Sequence, residues 1–426
     1  MYQKTAIRLL LVVLVAFVSM GSPDCGGDGP YPSGDPQRGA ESHLDFSPAW
    51  SPDGEFIITY AGYGLHGVQT DGSEAWQIRK RKRDFLSSPD ISIDGRLAFQ
   101  AGRDNSWVRD LLEAFAFPDR EENRIELADV DVKKVKRVAS VDVPFRRIPK
   151  WSPDGQLLAY SLRYWRGFVV LDRMGNQVGE FNFWQPGVGF IDGFDKFIVK
   201  QLAWAPGSDR LAMVAVHTDP NLTEADVLIT VRADGNDLRT VRRAAEGIAL
   251  AAPAWTPDGE HILYVQGPVR HVYAFDGSPS SIQSVRPDGS DQRVLVDLSD
   301  VATPWRGIAT PGMLSEEIHV CPNGKDLLLV TRGMYFNHAP RSYSSGISSL
   351  HAANTDTGEL DLITYEQDAL FASWSPDCSR IAVASPYRDD VMLYTMNADG
   401  SDPQVLLERN ERGKIKPGHS RPLQDE

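Results

Sequence analysis

The chain has 426 residues, 42% of them hydrophobic and 24% charged, with 44 Lys and Arg against 58 Asp and Glu for a formal net charge of −14. That composition excludes a disordered or fibrous chain. It also argues against a dedicated nucleic-acid binder, which carries a basic footprint, so no nucleic-acid partner is expected.

At the N-terminus, Lys4 and Arg8 precede an apolar run from Leu9 to Val18, and the small residues Ser19, Gly21 and Ser22 follow. These are the three parts of a secretory signal. Residues 1–22 are therefore expected to be a signal peptide or N-terminal anchor of an exported protein, periplasmic or at the cell surface; the run is short for a membrane span. Residues 23–40, rich in Gly, Pro and Asp, read as a flexible tether. Cys25, followed by Gly26, stands where a bacterial lipoprotein carries its lipidated cysteine, but Gly21-Ser22-Pro23-Asp24 departs from the usual Leu, small, small pattern. Cleavage near Gly21, leaving Cys25 in the tether, is the preferred reading. Membrane contact is expected only through this N-terminal segment or a lipid on Cys25.

From Trp50 onward a short turn recurs. Clear copies are Trp50-Ser51-Pro52-Asp53-Gly54, Trp151-Ser152-Pro153-Asp154-Gly155, Trp255-Thr256-Pro257-Asp258-Gly259 and Trp374-Ser375-Pro376-Asp377-Cys378. Weaker copies stand at Ile91 to Gly95, Trp204 to Ser208 and Val320 to Gly324. Pro presets φ, Asp bonds its own backbone, and Gly accepts the left-handed conformation. Each turn leads into an apolar, strand-like run such as Phe56 to Tyr60 or Leu327 to Val330. A second turn follows at Asp71-Gly72, Met174-Gly175, Asp234-Gly235, Asp288-Gly289, Thr357-Gly358 and Asp399-Gly400, and near Asp131 in the second repeat, where it is least distinct. Copies of the first turn are spaced 41 (Asp53 to Asp94) to 65 (Asp258 to Asn323) residues apart, the length of a four-stranded blade. The expected fold is all-β: a seven-bladed β-propeller of four-stranded antiparallel blades, or six-bladed if the second blade is degenerate. It spans residues 41–408, with residues near Glu41 to Phe46 left to supply a closing strand, and residues 409–426 form a charged tail.

This pairing of WSPDG and DGS turns resembles the TolB-like propeller repeat over roughly residues 46–408, and it is similar to the propellers that precede the catalytic domains of prolyl oligopeptidase relatives. The resemblance to TolB implies an envelope protein that grips partner proteins. The α/β domain that TolB places before its propeller has no counterpart here, so that transport role is not carried over. Neither is peptidase activity, since no Gly-x-Ser-x-Gly elbow occurs. HExxH, paired CxxC, phosphate-loop and dinucleotide motifs are absent too, and no cofactor is expected.

In a four-stranded meander the loop between the second and third strands lies on the same face as the blade-to-blade connections. These loops carry the extra chain, so that face is the candidate binding face. Its expected partner-binding residues are Trp107, Tyr164, Trp165, Arg166, Trp184, Trp305, Arg306, Tyr335, Phe336, Tyr387 and Arg388, aromatic and Arg side chains being enriched at interfaces. Such aromatics also commonly fold back onto neighbouring loops. Residues 107–115 have helix-forming spacing and suggest a short helix inserted in blade 2. The Trp residues of the repeated turns are expected to pack between blades.

The function expected is non-catalytic binding of a protein or peptide in the cell envelope. The alternative is a carbohydrate-active propeller, either a glycan-binding module or a lyase resembling oligogalacturonate lyases, which hold a divalent metal with His ligands. His217, His271 and His338, in middle loops of successive blades, are the metal candidates under that alternative. The basic runs Arg79 to Arg83 and Lys133 to Arg137 read as solvated outer edges that discourage edge pairing. Cys321 and Cys378 sit in equivalent turns of consecutive blades. A bond needs Cα atoms within about 7 Å, which adjacent blades rarely offer there, so both are expected as turn substitutions. Cys378, in the Gly slot, should cost some local stability at positive φ.

Overall fold

The computed structural model describes residues 47–422 apart from segments 62–63, 81–83, 104–122, 132–133, 144–148, 162–166, 186–188, 191–196, 218–225, 246–247, 269–280, 299–317, 333–334, 337–342, 345–347, 367–370, 385–390 and 410–414. The chain divides into two units, residues 1–43 and 44–426, and every described residue belongs to the second. The signal, the tether, Cys25, the expected closing segment 41–46 and the expected helix 107–115 lie outside the described residues.

All described regular structure is strand. Blade 1 is β1 (Ala49–Trp50), β2 (Phe56–Ala61), β3 (Gly64–Gln69) and β4 (Ala75–Lys80); blade 2 is β5 (Asp84–Ile91), β6 (Arg96–Arg103), β7 (Asn123–Asp131) and β8 (Lys134–Val143). Blade 3 is β9 (Lys150–Trp151), β10 (Leu157–Ser161), β11 (Gly167–Asp172) and β12 (Gln177–Asn182), followed by a hairpin of β13 (Trp184–Gln185) and β14 (Gly189–Phe190). Blade 4 is β15 (Phe197–Trp204), β16 (Arg210–His217), β17 (Val227–Arg232) and β18 (Arg239–Arg243); blade 5 is β19 (Ile248–Trp255), β20 (Ile262–Pro268), β21 (Ser281–Val285) and β22 (Arg293–Asp297). Blade 6 is β23 (Ile318–Val320), β24 (Asp326–Arg332), β27 (Ser348–Asn354) and β28 (Leu360–Glu366), with β25 (Tyr335–Phe336) and β26 (Tyr343–Ser344) as a hairpin between its second and third strands. Blade 7 is β29 (Phe371–Trp374), β30 (Arg380–Ala384), β31 (Val391–Asn397) and β32 (Gln404–Arg409), to which β33 (Ile415–Pro422) adds a fifth strand. Seven blades follow one another in a ring, and the second turn of blade 2 falls after Asp131 as expected.

The repeated turn shows why its residues recur. Ser51 Oγ donates to Asp53 Oδ1 at 2.6 Å and accepts from the Phe56 N–H at 2.9 Å, while Asp53 Oδ1 also accepts from the Glu55 N–H at 3.0 Å. Gly54 closes the turn at φ 73°. Ser152 with Asp154, Thr256 with Asp258 and Ser375 with Asp377 repeat the hydroxyl-to-carboxylate bond at 2.6 Å. Hydrogen bonds from Ser51, Thr256 and Ser375 hold Asp53, Asp258 and Asp377 below the ordinary carboxylate pKa.

Each turn feeds a second strand buried on both faces, since both faces of a blade pack on neighbouring blades. Ile57 and Ile58 point to opposite sides of β2 and both are fully buried, as are Leu327, Leu328 and Leu329 of β24. Burying such a side chain contributes roughly 1.5–3 kcal/mol. Pro89 and Pro253 sit at register shifts in β5 and β19, which are edge strands of their sheets and so tolerate a residue without an N–H.

Two expectations are corrected. Ile415–Pro422, expected as charged tail, is a strand; Ile415 packs on the core shared by blades 1 and 7, and Lys416 pairs with Glu408 at 2.7 Å. Cys321 and Cys378 form a disulfide with Cα atoms 5.9 Å apart. Their turns are equivalent but their slots are not: Cys321 takes the slot of Ser51, Ser152 and Ser375, whereas Cys378 takes the Gly slot. The slots meet across a seam, for a Cβ built on Gly155 of blade 3 would lie 3.2 Å from Ser92 Cβ of blade 2. As expected, Cys378 lies at positive φ, 62°.

Candidate functional site

The topology places the loops between second and third strands, and all blade connections, on one face, with the tight turns opposite. Of the candidate residues, Trp184 lies in β13, paired with Phe190 across the hairpin between blades 3 and 4. Tyr335 and Phe336 form β25, opposite Ser344 and Tyr343, in the middle loop of blade 6. His217 ends β16, opposite Phe197. Trp107, Tyr164, Trp165, Arg166, Trp305, Arg306, Tyr387, Arg388, His271 and His338 lie outside the described residues. Among the described residues, no group of three or more His, Cys, Asp or Glu side chains is placed to hold a metal ion.

The innermost strands of all seven blades enclose a central cavity of about 600 Å³. Trp50, Trp151, Trp204, Trp255 and Trp374 line it while also packing between blades. Its wall also carries Asp90, Lys150, Gln201 and His319, none of which sequence reasoning selected. A local signal existed: the residue before the first residue of the turn is Ala49, Ala203 or Ala254 in three blades but Asp90, Lys150 or His319 in three others.

Several cavity-wall groups bind one blade to the next. The Trp204 indole N–H donates to the Lys150 carbonyl at 2.9 Å and the Trp255 indole N–H to the Ala203 carbonyl at 3.2 Å, each reaching back one blade. In the other direction, Asp90 Oδ2 accepts from the Trp151 N–H and Gln201 Oε1 from the Ala252 N–H, both at 2.6 Å. Ala252 stands at φ 51°, so the Gln201 side chain supports a backbone conformation that Ala rarely adopts.

No family model matches this sequence, and no curated protein matches it. Solved structures do. An oligogalacturonate lyase from Vibrio parahaemolyticus is 13% identical, covers 87% of this chain and 92% of its own, and superposes with a TM-score of 0.53. Kuenenia stuttgartiensis hydrazine synthase is also 13% identical, covering 88% and 99% with a TM-score of 0.52. TolB from Acinetobacter baumannii is 14% identical over 79% and 82%, with a TM-score of 0.42. The fold is a seven-bladed β-propeller.

Within this propeller the basic runs fall on outer strands but not together. Arg79 and Lys80 end β4, toward the loop face, whereas Lys134, Lys136 and Arg137 begin β8, at the turn face. In the register of β7 with β8, Lys134 stands opposite Asp131 and Lys136 opposite Asp129.

Proposed function

We propose that this propeller is an exported cell-envelope protein that binds a protein or peptide partner through its loop face and catalyses no reaction. The single observation that carries this reading is the asymmetry of the ring. Every long loop and blade connection opens on one face, whereas the other carries short Asx-type turns whose carboxylates are taken up by their own hydroxyls and backbone. Trp, Tyr and Arg in those loops supply rigid apolar area with polar tips. The test is cross-linking of the purified protein to envelope extract, comparing Trp165→Ala/Arg166→Ala and Trp305→Ala/Arg306→Ala on the loop face with Lys325→Ala on the turn face. Saturable capture of one partner, lost only in the loop-face variants, supports the reading; equal capture by all three sinks it.

A second reading, a carbohydrate-active propeller, draws on His217, His271 and His338 falling in or beside the middle loops of successive blades 4, 5 and 6. Metal analysis of the protein with and without Ala at all three positions separates the two. Stoichiometric metal lost on replacement favours a lyase-like site, with oligogalacturonides as the next substrate test.

A further inference from the structure

We propose that Cys321–Cys378 is a redox-controlled latch that fastens the last blade to the ring at the turn-face rim of the central cavity. The turn Trp makes no indole bond to the preceding blade at two seams, between blades 2 and 3 and between blades 6 and 7. Trp50, Trp204 and Trp255 donate their indole N–H to the preceding blade, but the buried Trp151 and Trp374 nitrogens have no hydrogen-bond partner. Between blades 6 and 7, Val320 also stands in place of the preceding blade's turn Trp. At that same seam the turn-slot Ser of blade 6 and the turn-slot Gly of blade 7 are both replaced by Cys and joined. Pro322, Ser375 and Pro376, beside the two cysteines, line the cavity, so the latch also fixes that stretch of its wall.

Closing the latch forms the Sγ–Sγ bond with loss of two protons, and the two electrons pass to the disulfide of a thiol oxidoreductase, the class of enzyme an exported chain meets during folding, so the latch rests on the export proposed above. Opening begins at Cys378, which is half-buried, whereas Cys321 is fully buried. A dithiol's thiolate attacks Cys378 Sγ, Cys321 leaves as thiolate and takes up a proton, and the second thiol of the reductant then releases Cys378. The latch holds whichever partner the loop face takes.

The experiment uses the full chain, isolated without reductant. Alkylation and mass spectrometry should find Cys321 and Cys378 protected until reduction. Reduction should lower Tm by about 5 °C and speed tryptic cutting within residues 379–412 at least fivefold. In Cys321→Ser/Cys378→Gly, which restores the residues other blades carry, Tm and cutting should not respond to reductant. Alkylation of either cysteine before reduction, a reduced wild type with unchanged Tm and cutting, or a variant that still responds to reductant would each overturn the proposal.

Discussion

Trp50 and Ser373 are 323 residues apart in sequence and meet where the ring closes. The Trp50 indole N–H donates to the Ser373 carbonyl at 3.3 Å, and Ser373 Oγ donates back to the Pro48 carbonyl at 2.6 Å. This is the back-reaching indole contact that blades 4 and 5 make with blades 3 and 4, used between the first blade and the last. Closure needs no exchanged strand among the described residues: β1 and β29 both stay in their own blades, and Phe56, Leu65, Phe371 and Leu393 share one core.

Ser373→Ala tests that closure. It leaves the buried Pro48 carbonyl without its hydroxyl donor, which should cost about 1–2 kcal/mol. Trp50→Phe keeps most of the apolar area and should cost less, whereas Trp50→Ala should cost about 3 kcal/mol. Urea unfolding of the three variants should preserve that order; a Ser373→Ala variant as stable as wild type would show that the bond contributes nothing to closure.

Acid should weaken the fold in two stages. His351, in β27, is 3% exposed, its Nε2 has no hydrogen-bond partner, and burial lowers its pKa to about 4. The folded protein therefore resists a proton that the unfolded chain accepts near pH 6.5. Stability is unaffected above that value and falls as pH drops from 6.5 toward 4, by roughly 3 kcal/mol at the lower end. Burial lowers the His66 pKa as well and acts in the same direction. The turn carboxylates Asp53, Asp258 and Asp377, held below the ordinary value of 3.8, lose their contribution only at lower pH. His351→Gln should flatten the stability profile between pH 6.5 and 4 and leave the steeper acid limb; an unchanged profile there would remove His351 as its source.

The fold was legible because the WSPDG turn is local chemistry: one hydroxyl, one carboxylate and one left-handed Gly close it without help from the rest of the chain. The second turn of blade 2 lacks that chemistry, since Asp131-Val132-Lys133-Lys134 carries neither Gly nor hydroxyl, and its place near Asp131 followed only from the spacing of the repeat. What depended on neighbouring blades was not legible. Gln201 reaches the backbone of a different blade, and the Cys321–Cys378 bond depends on the Ser slot of one turn meeting the Gly slot of the next. Lys150 and Asp90 stand one residue before the first residue of a turn, Trp151 and Ile91, but nothing local says that those positions border a cavity. β33 was missed because Ile415-Lys416-Pro417-Gly418 has little strand propensity; pairing with β32 and the burial of Ile415 override it. The candidate loop aromatics rest on strand order alone, which says from which face a loop departs and nothing of what its side chains touch.

A new cross-link can be placed from the slot geometry alone. Ser92 of blade 2 and Gly155 of blade 3 occupy the positions that Cys321 and Cys378 hold at the other seam, and Cys378 shows that this Gly slot accepts Cys at φ 62°. Ser92→Cys/Gly155→Cys should form a disulfide on oxidation, once Asp94 and Ile93, each 3.3 Å from the new Cβ, move slightly aside. Non-reducing peptide mapping should find residues 92 and 155 linked and Tm raised above that of the reduced variant. Two free thiols after oxidation would mean that the slots are not equivalent around the ring.

Two glycines with similar dihedrals should respond differently to Ala. Gly54 has φ 73°, and a Cβ there would meet nothing within 4 Å, so Gly54→Ala should cost only the left-handed conformation, about 1 kcal/mol. Gly235 has φ 86°, and its Cβ would fall within bonding range of the Glu180 carbonyl on β12 of the preceding blade. That contact is backbone against backbone, so no side chain can swing away; blades 3 and 4 would have to separate at that point. Gly235→Ala should therefore cost upwards of about 3 kcal/mol, above the conformational term because neighbouring backbone must shift. Hydrogen exchange should show the added opening confined to β12 and the turn of residues 233–236. Equal losses for the two variants would mean that conformation, not the close approach of the two blades, sets the need for glycine at position 235.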